Sequence, residues 1–335
     1  MANATVRGRF VWHELYTPNR AGAEEFYRKV AGWTVQSWDQ DPGYQMFAAK
    51  SGPLGGVVEE RSGTPQWLAY IGTTDVDATA DAAARLGGRV QTAPADLPNG
   101  GRYAVIVDPQ GATFGVHAST TAPQPETAPK SGEFSWHELA TSVAPGAAFG
   151  FYAALFDWDL IAEHDMGPMG MYLVFGRNGR QLGGMFDKGA QGKPGAAYWL
   201  GYVSVTDLEG TVERAKAARG SVSAGPMDVP GGDRIAQLMD PYGAFFALHK
   251  PAGQAAAAGG KAASEPAKKA SRQKPAARKP QAKERAAKKA PAKRAKPAAR
   301  KKAKKKSAAK KQAARKPAKS KPKKKAAKKA RKRRR

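Results

Sequence analysis

The chain has 335 residues and a formal net charge of +28, and it contains no cysteine. Disulfides, thiol chemistry and cysteine-type zinc sites are therefore excluded. The charge is unevenly divided: residues 251–335 carry 26 Lys and 10 Arg against 2 Glu, which leaves residues 1–250 with a net charge of −6. An acidic folded body joined to a polycationic tail is the expected organisation. No apolar run is long enough for a membrane span and no secretory h-region opens the chain, so a cytoplasmic protein is expected.

Phe10-Val-Trp-His-Glu-Leu-Tyr16 reads as a strand that stops before Pro18. Ala23, Phe26, Tyr27 and Val30 recur at helical spacing, predicting a helix over 21–30 that Gly32 ends. Strand-like runs follow at 33–38, 44–49 and 55–59. The pattern then restarts with a strand over 67–73, a helix over 76–86 before Gly87-Gly88, and strands from 89 through 117. The order β-α-β-β-β thus occurs twice.

The segment 96–117 closes this first copy. It has a Gly-rich turn, a β-rich run opening with Arg102, the turn Asp108-Pro-Gln-Gly111, and a last run ending at His117. An apolar run, a Pro/Gly turn and another apolar run describe a hairpin. Residues 119–131 are a Pro/Thr-rich linker. After it the whole order returns. Trp136-His-Glu-Leu139 answers Trp12-His-Glu-Leu15, and Phe151-Tyr152 answers Phe26-Tyr27. Leu182-Gly-Gly184 answers Leu54-Gly-Gly56, and the closing hairpin 228–249, with Arg234 and Asp240-Pro-Tyr-Gly243, answers 96–117. The offset grows from 124 to 132 along the chain, as short loop insertions in the second copy require. Two homologous α+β domains, 8–118 and 132–249, are expected. The Gly-rich stretches 52–56 and 179–184 lack the Lys-Ser/Thr of a phosphate-binding loop and read as turns.

Paired β-α-β-β-β modules, with Phe-Tyr ending the first helix and Asp-Pro-x-Gly before the last strand, resemble the vicinal oxygen chelate superfamily. That group includes glyoxalase I, extradiol dioxygenases and bleomycin- and fosfomycin-resistance proteins. The resemblance implies a divalent-metal cleft, with ligands in the first, fifth and last strands of each domain. Carried over position by position, the ligand sites fall on Trp12, Leu68 and Gly115, and on Trp136, Leu200 and Ala247. None of these can ligate a metal, so the usual ligand positions are substituted and the cofactor is left as none or unknown, with a divalent metal as the open alternative.

In this register the first cleft face carries Trp12, Glu14, Leu68, Tyr70, Gly115 and His117. The second carries Trp136, Glu138, Leu200, Tyr202, Ala247 and His249. Glu14 with His117, and Glu138 with His249, are candidate base and acid pairs in an aromatic-lined ligand pocket. Arg102 and Arg234 are candidates for holding an anionic ligand, against the plainer reading of surface ion pairs. A slip of one residue would exchange faces and make His13 and His137 metal ligands instead.

From residue 251 onward there is no Val, Ile, Leu, Met or aromatic residue, so no core can form and a disordered tail is expected. Its Lys/Ala/Pro-rich composition resembles the tails of linker histones and of some bacterial nucleoid proteins. The resemblance implies binding to DNA or another polyanion, and association with the nucleoid. The combined expectation is a small-molecule-binding protein with a nucleic-acid-binding tail. The alternatives are a metal-dependent lyase or dioxygenase with an unusual ligand set, and a ligand-sequestering resistance-type protein. Oligomeric state is not encoded in any pattern found.

Overall fold

The computed structural model describes residues 6–98, 100–121, 126–190, 192 and 195–253. Almost all of the tail, and every expectation placed on it, lies outside these residues. The first half comprises β1 (Phe10–Thr17), α1 (Arg20–Ala31), β2 (Thr34–Trp38), β3 (Asp41–Ala49), β4 (Gly52–Glu59), β5 (Gln66–Gly72), α2 (Val76–Arg85), β6 (Arg89–Asp96), β7 (Arg102–Val107) and β8 (Thr113–Ala118). The second half repeats them as β9 (Phe134–Thr141), α3 (Pro145–Phe156), β10 (Asp159–Asp165), β11 (Met171–Arg177), β12 (Arg180–Asp187), β13 (Tyr198–Ser204), α4 (Leu208–Ala217), β14 (Ser221–Asp228), β15 (Arg234–Met239) and β16 (Phe245–Lys250). The inserted residues of the second copy include a one-turn 3-10 helix, Gly167–Met169, between β10 and β11.

Each half is one eight-stranded mixed sheet, in the orders β2-β3-β4-β1-β5-β8-β7-β6 and β10-β11-β12-β9-β13-β16-β15-β14. The architecture is two tandem α+β domains of paired β-α-β-β-β modules. Helix starts follow the sequence: Asn19, Asp75 and Asp207 accept from backbone N–H groups of the first turns of α1, α2 and α4. α3 lacks such a cap and begins instead at Pro145, whose fixed φ suits the first helical position. Gly32 ends α1 in the left-handed region, φ 71°.

The hydrophobic cores do not respect the halves. One cluster joins Ile71, Ile106 and Phe114 to Tyr152, Trp158 and Phe175, and the other joins Phe26, Tyr27 and Trp33 to Val203, Leu208 and Phe246. Helix α1 accordingly lies against α4, and α2 against α3. Both duplicated motifs have a part in this crossing. Asp108 uses one carboxylate oxygen to accept from Gln110 N and Ala112 N at 2.8 Å, which ties its turn. Its other oxygen accepts from the Tyr152 hydroxyl at 2.9 Å, and that hydroxyl accepts from Trp199 Nε1, also at 2.9 Å. Asp240, Tyr27 and Trp67 repeat the chain in reverse, at 3.2 and 2.9 Å. The Asp-Pro-x-Gly turn of each half thus receives the tyrosine of the other half's Phe-Tyr.

Between the sheets, His13 meets His137 Nε2 to Nε2 at 2.7 Å. Phe10 stacks on His137 and Phe134 on His13, both with ring centroids 3.6 Å apart. Such reciprocal contacts are what an approximate two-fold relation produces. At the C-terminal end, β16 lies between β13 and β15. Asp233 fastens its end, taking Ala252 N at 2.7 Å and His249 Nε2 at 2.9 Å.

Candidate functional site

The helices cover one face of each sheet, and on the opposite, open face two small clusters form. One contains Leu68, Tyr70 and Val105 with Trp12, Tyr16 and Tyr103; the other contains Leu200, Tyr202 and Ala247 with Trp136 and Ile235. Strand alternation places Glu14 and Glu138 at their centres. Glu14 stands opposite Leu68 on β5 and Gly56 on β4, and Glu138 opposite Leu200 and Gly184.

A partly buried carboxylate among apolar neighbours needs hydrogen-bond donors. Glu14 receives the hydroxyls of Tyr44 and Tyr70 at 2.7 Å and of Tyr16 at 2.9 Å. Glu138 receives Tyr172 at 2.9 Å, Tyr202 at 2.8 Å and the Gln237 amide at 3.3 Å. Gln237 thereby replaces the donor lost where Ala140 stands in place of Tyr16. Burial, reinforced by the adjacent carboxylate, pushes the phenols of Tyr16, Tyr44, Tyr70, Tyr172 and Tyr202 well above their ordinary range. They remain protonated and act as donors, not as bases. Trp12 and Trp136 complete the arrays, donating to Tyr44 at 3.1 Å and to Tyr172 at 3.2 Å.

The glycines of the repeated Leu-Gly-Gly make room for these tyrosines. A Cβ on Gly56 would overlap the Tyr44 hydroxyl, and one on Gly184 the Tyr172 hydroxyl. Gly115 likewise faces the ring of Tyr70, which fills the space a longer side chain would need. Tyr16, Tyr44, Tyr172 and Gln237 were not among the residues expected from sequence. Tyr16 was within reach of strand alternation, two residues beyond Glu14. Tyr44 and Tyr172 required the pairing of their strands with the Leu-Gly-Gly strands.

The remaining sequence candidates are dispersed. Glu14's partners are tyrosines and not His117, whose imidazole pKa is lowered by burial. His249 bonds to Ser135 Oγ through Nδ1 at 2.8 Å and to Asp233 through Nε2. Arg102 is held by Asp77 and Asp96, and Arg234 by Glu209 and Asp228. His13 and His137 point away from the open faces into the contact between the sheets, so the slip that would make them cleft ligands does not occur. Burial pushes His13 down to about 3 and His137 in the same direction. Of two surface cavities, of about 220 and 340 Å³, the first is lined by Arg9, Phe10, Phe134, His137 and Arg180 and so reaches the histidine contact, and the second lies beside Lys29, Asp207 and Arg214.

Each open face offers one carboxylate among protonated phenols. Tight divalent binding needs three or four converging ligands with free lone pairs, and among the described residues no group of three or more His, Cys, Asp or Glu is so placed. The donor set does not fit a metal.

Residues 14–117 match the model of the glyoxalase-like domain, and residues 143–248 that of the glyoxalase/bleomycin resistance protein/dioxygenase superfamily. A glyoxylase-like protein of Mycobacterium tuberculosis (strain CDC 1551 / Oshkosh), CFP32, is 30% identical over 254 residues, covering 72% of this chain and 95% of its own. The anthracycline biosynthesis protein DauV of Streptomyces sp. (strain C5) is 32% identical, covering 72% and 92%. Among solved structures, the Mn(II)-bound glyoxalase of Novosphingobium aromaticivorans matches with a TM-score of 0.53 and 14% identity, over 73% of this chain and 82% of that one. Two sheets of paired modules, the repeated turn motifs and these matches converge: the chain belongs to the glyoxalase/bleomycin resistance protein/dioxygenase superfamily.

Proposed function

We propose that the folded body binds a small organic ligand on its open sheet faces without a metal, and that the tail holds it on nucleic acid. The observation that carries the first part is the carboxylate ringed by three fixed donors, standing where Trp12, Leu68 and Gly115, or Trp136, Leu200 and Ala247, occupy the family's ligand positions. Preorganised polar groups inside an apolar, aromatic surround are suited to orienting a ligand. The phenols keep their protons, so binding or sequestration is favoured over proton-transfer chemistry. Relatives of this chain named for anthracycline biosynthesis support an aromatic ligand. Calorimetric titration of chelator-treated protein with hydroxylated aromatic compounds tests the reading. Binding that appears only after Mn(II) or Zn(II) is restored would sink it.

The second part rests on 36 cations without apolar content in residues 251–335. Such a segment neutralises phosphates whatever their sequence context, which supports association with the nucleoid. Loss of DNA binding on removal of the tail is the corresponding test.

A further inference from the structure

The first surface cavity, of about 220 Å³, lies where the two halves and the linker meet. Arg9 precedes β1, Arg180 opens β12, Glu126 and Thr127 belong to the linker, and Phe10 and Phe134 supply apolar wall. Both guanidinium groups approach the same oxygen of Glu126, Arg180 Nε at 3.5 Å and Arg9 Nε at 3.7 Å. Ion pairs longer than a hydrogen bond and open to solvent hold weakly. A guanidinium has five N–H donors. Among the described residues Arg180 makes one hydrogen bond, from Nη2 to the Thr127 carbonyl at 2.7 Å. The remaining charged group at the cavity, Glu133, accepts from Lys130 N at 2.8 Å. Gly52 stands in the first half where Arg180 stands in the second, so the repeat alone does not call for this guanidinium.

We propose that this cavity binds a small monocarboxylate, which takes the place of Glu126 between the two arginines. The planar guanidinium fork matches a carboxylate through two parallel hydrogen bonds. Glu126, carried on the linker backbone, does not reach that geometry, whereas a separate molecule is not so constrained. Exchanging one carboxylate for another leaves the local charge count unchanged. A dianion would add negative charge beside Glu133. The volume sets the size, because about 220 Å³ equals the share of roughly seven water molecules. That lies below the range of roughly 300–1,000 Å³ usual for drug-sized ligands, so the fit is to a molecule near the size of benzoate.

Glu126 is then an internal competitor. Apparent affinity for the ligand is reduced by the fraction of molecules in which Glu126 keeps its place, and removing its charge raises that affinity. A contact that merely fastened the linker has no such sign: without Glu126, carboxylate binding would stay the same or weaken. The site lies apart from Glu14 and Glu138, so it stands independently of the ligand reading given for the open faces.

The test is a fluorine NMR titration of full-length protein with 4-fluorobenzoate, using neutral 4-fluorobenzyl alcohol as the control. Wild type, Glu126→Gln and Arg180→Gln are compared. The tail is common to all three, so any carboxylate it attracts cancels in the comparison. Both altered side chains are partly exposed, 38% for Glu126 and 34% for Arg180, and thermal midpoints check that the fold is kept. The expected result is 4-fluorobenzoate bound at least threefold more tightly by Glu126→Gln and at least tenfold more weakly by Arg180→Gln. Binding of the alcohol should respond to neither substitution. Unchanged or weaker carboxylate binding by Glu126→Gln overturns the proposal, and so does full binding by Arg180→Gln. No binding by either wild type or Glu126→Gln overturns it as well. An alcohol that follows the same pattern as the carboxylate shows that charge is not what the cavity recognises, and the proposal fails. Should Arg180→Gln lose its fold, the sign of the Glu126→Gln effect decides alone.

Discussion

His13 and His137 touch through their Nε2 atoms at 2.7 Å, each ring stacked on a phenylalanine of the other half. Burial disfavours the imidazolium and holds His13 near 3, with His137 also lowered by burial and by its neighbour. Both are therefore neutral at pH 7, and one nitrogen donates to the other.

This pair makes stability depend on pH. Unfolded histidines protonate near pH 6.5, whereas the folded state resists protonation until much lower pH. The stability is fully present above about pH 6.5 and is lost as pH falls towards 3. Between pH 7 and 5 the two imidazoles together cost about 4 kcal/mol. Urea midpoints for full-length protein should fall accordingly, and His13→Gln/His137→Gln should flatten the dependence. Parallel profiles for the two proteins would show that the pair is not responsible. Asp108 and Asp240, whose pKa values are raised by burial, act in the opposite sense in more acid solution, which is why the window stops at pH 5.

Glu138→Ala removes the acceptor shared by two buried phenols and an amide. Unsatisfied buried donors cost about 1–3 kcal/mol each, and water entering the gap recovers part of that. We expect a loss of about 2–4 kcal/mol in urea unfolding, against about 1 kcal/mol for Glu138→Gln, which keeps an acceptor. Equal losses would mean that packing, not hydrogen bonding, is what Glu138 provides.

Separated halves should not fold alone. Both cores draw on both halves, and each tyrosine of Phe-Tyr bonds to an aspartate across the division. Residues 1–121 and 126–253, produced singly, are expected to lack a cooperative thermal transition and to regain one on mixing. An independent transition in either piece would show that the crossing contacts are dispensable. Tyr27→Phe, which strips Trp67 and Asp240 of a partner, is expected to cost about 2 kcal/mol in the intact chain.

Full-length protein should bind duplex DNA with little sequence preference and with a steep salt dependence. Contact with ten phosphates implies a log–log slope of roughly −9. A chain ending at residue 253 should not bind, since residues 1–250 carry a net charge of −6. A gel-shift series across salt on unrelated sequences decides it. Persistent binding by the shortened chain would assign recognition to the folded body.

The fold was legible in the sequence because the duplication supplied each element twice. Trp-His-Glu-Leu, Leu-Gly-Gly and Asp-Pro-x-Gly set the order of β1, β4 and β8 and a preferred register, with a one-residue slip that exchanges faces left open. Alternation from Trp12 placed Glu14 on the open face and His13 behind it. What the chain pattern did not reveal was partnership between distant strands. Tyr44 reaches Glu14 from β3, and Gln237 reaches Glu138 from β15, across separations set only by sheet order. The crossing of the cores was hidden for the same reason, because periodicity tells which face of α1 is apolar but not that α4 covers it.

The position of β16 has a mechanical consequence. Its end continues into the basic tail, and it is hydrogen-bonded on one side to β13 in parallel and on the other to β15. Tension applied at residue 253 along the strand axis would load both ladders in shear. Rupture then requires many hydrogen bonds to break together, with the Asp233 contacts to Ala252 and His249 yielding first. A body pulled in that direction would resist as a whole and would not be unzipped strand by strand.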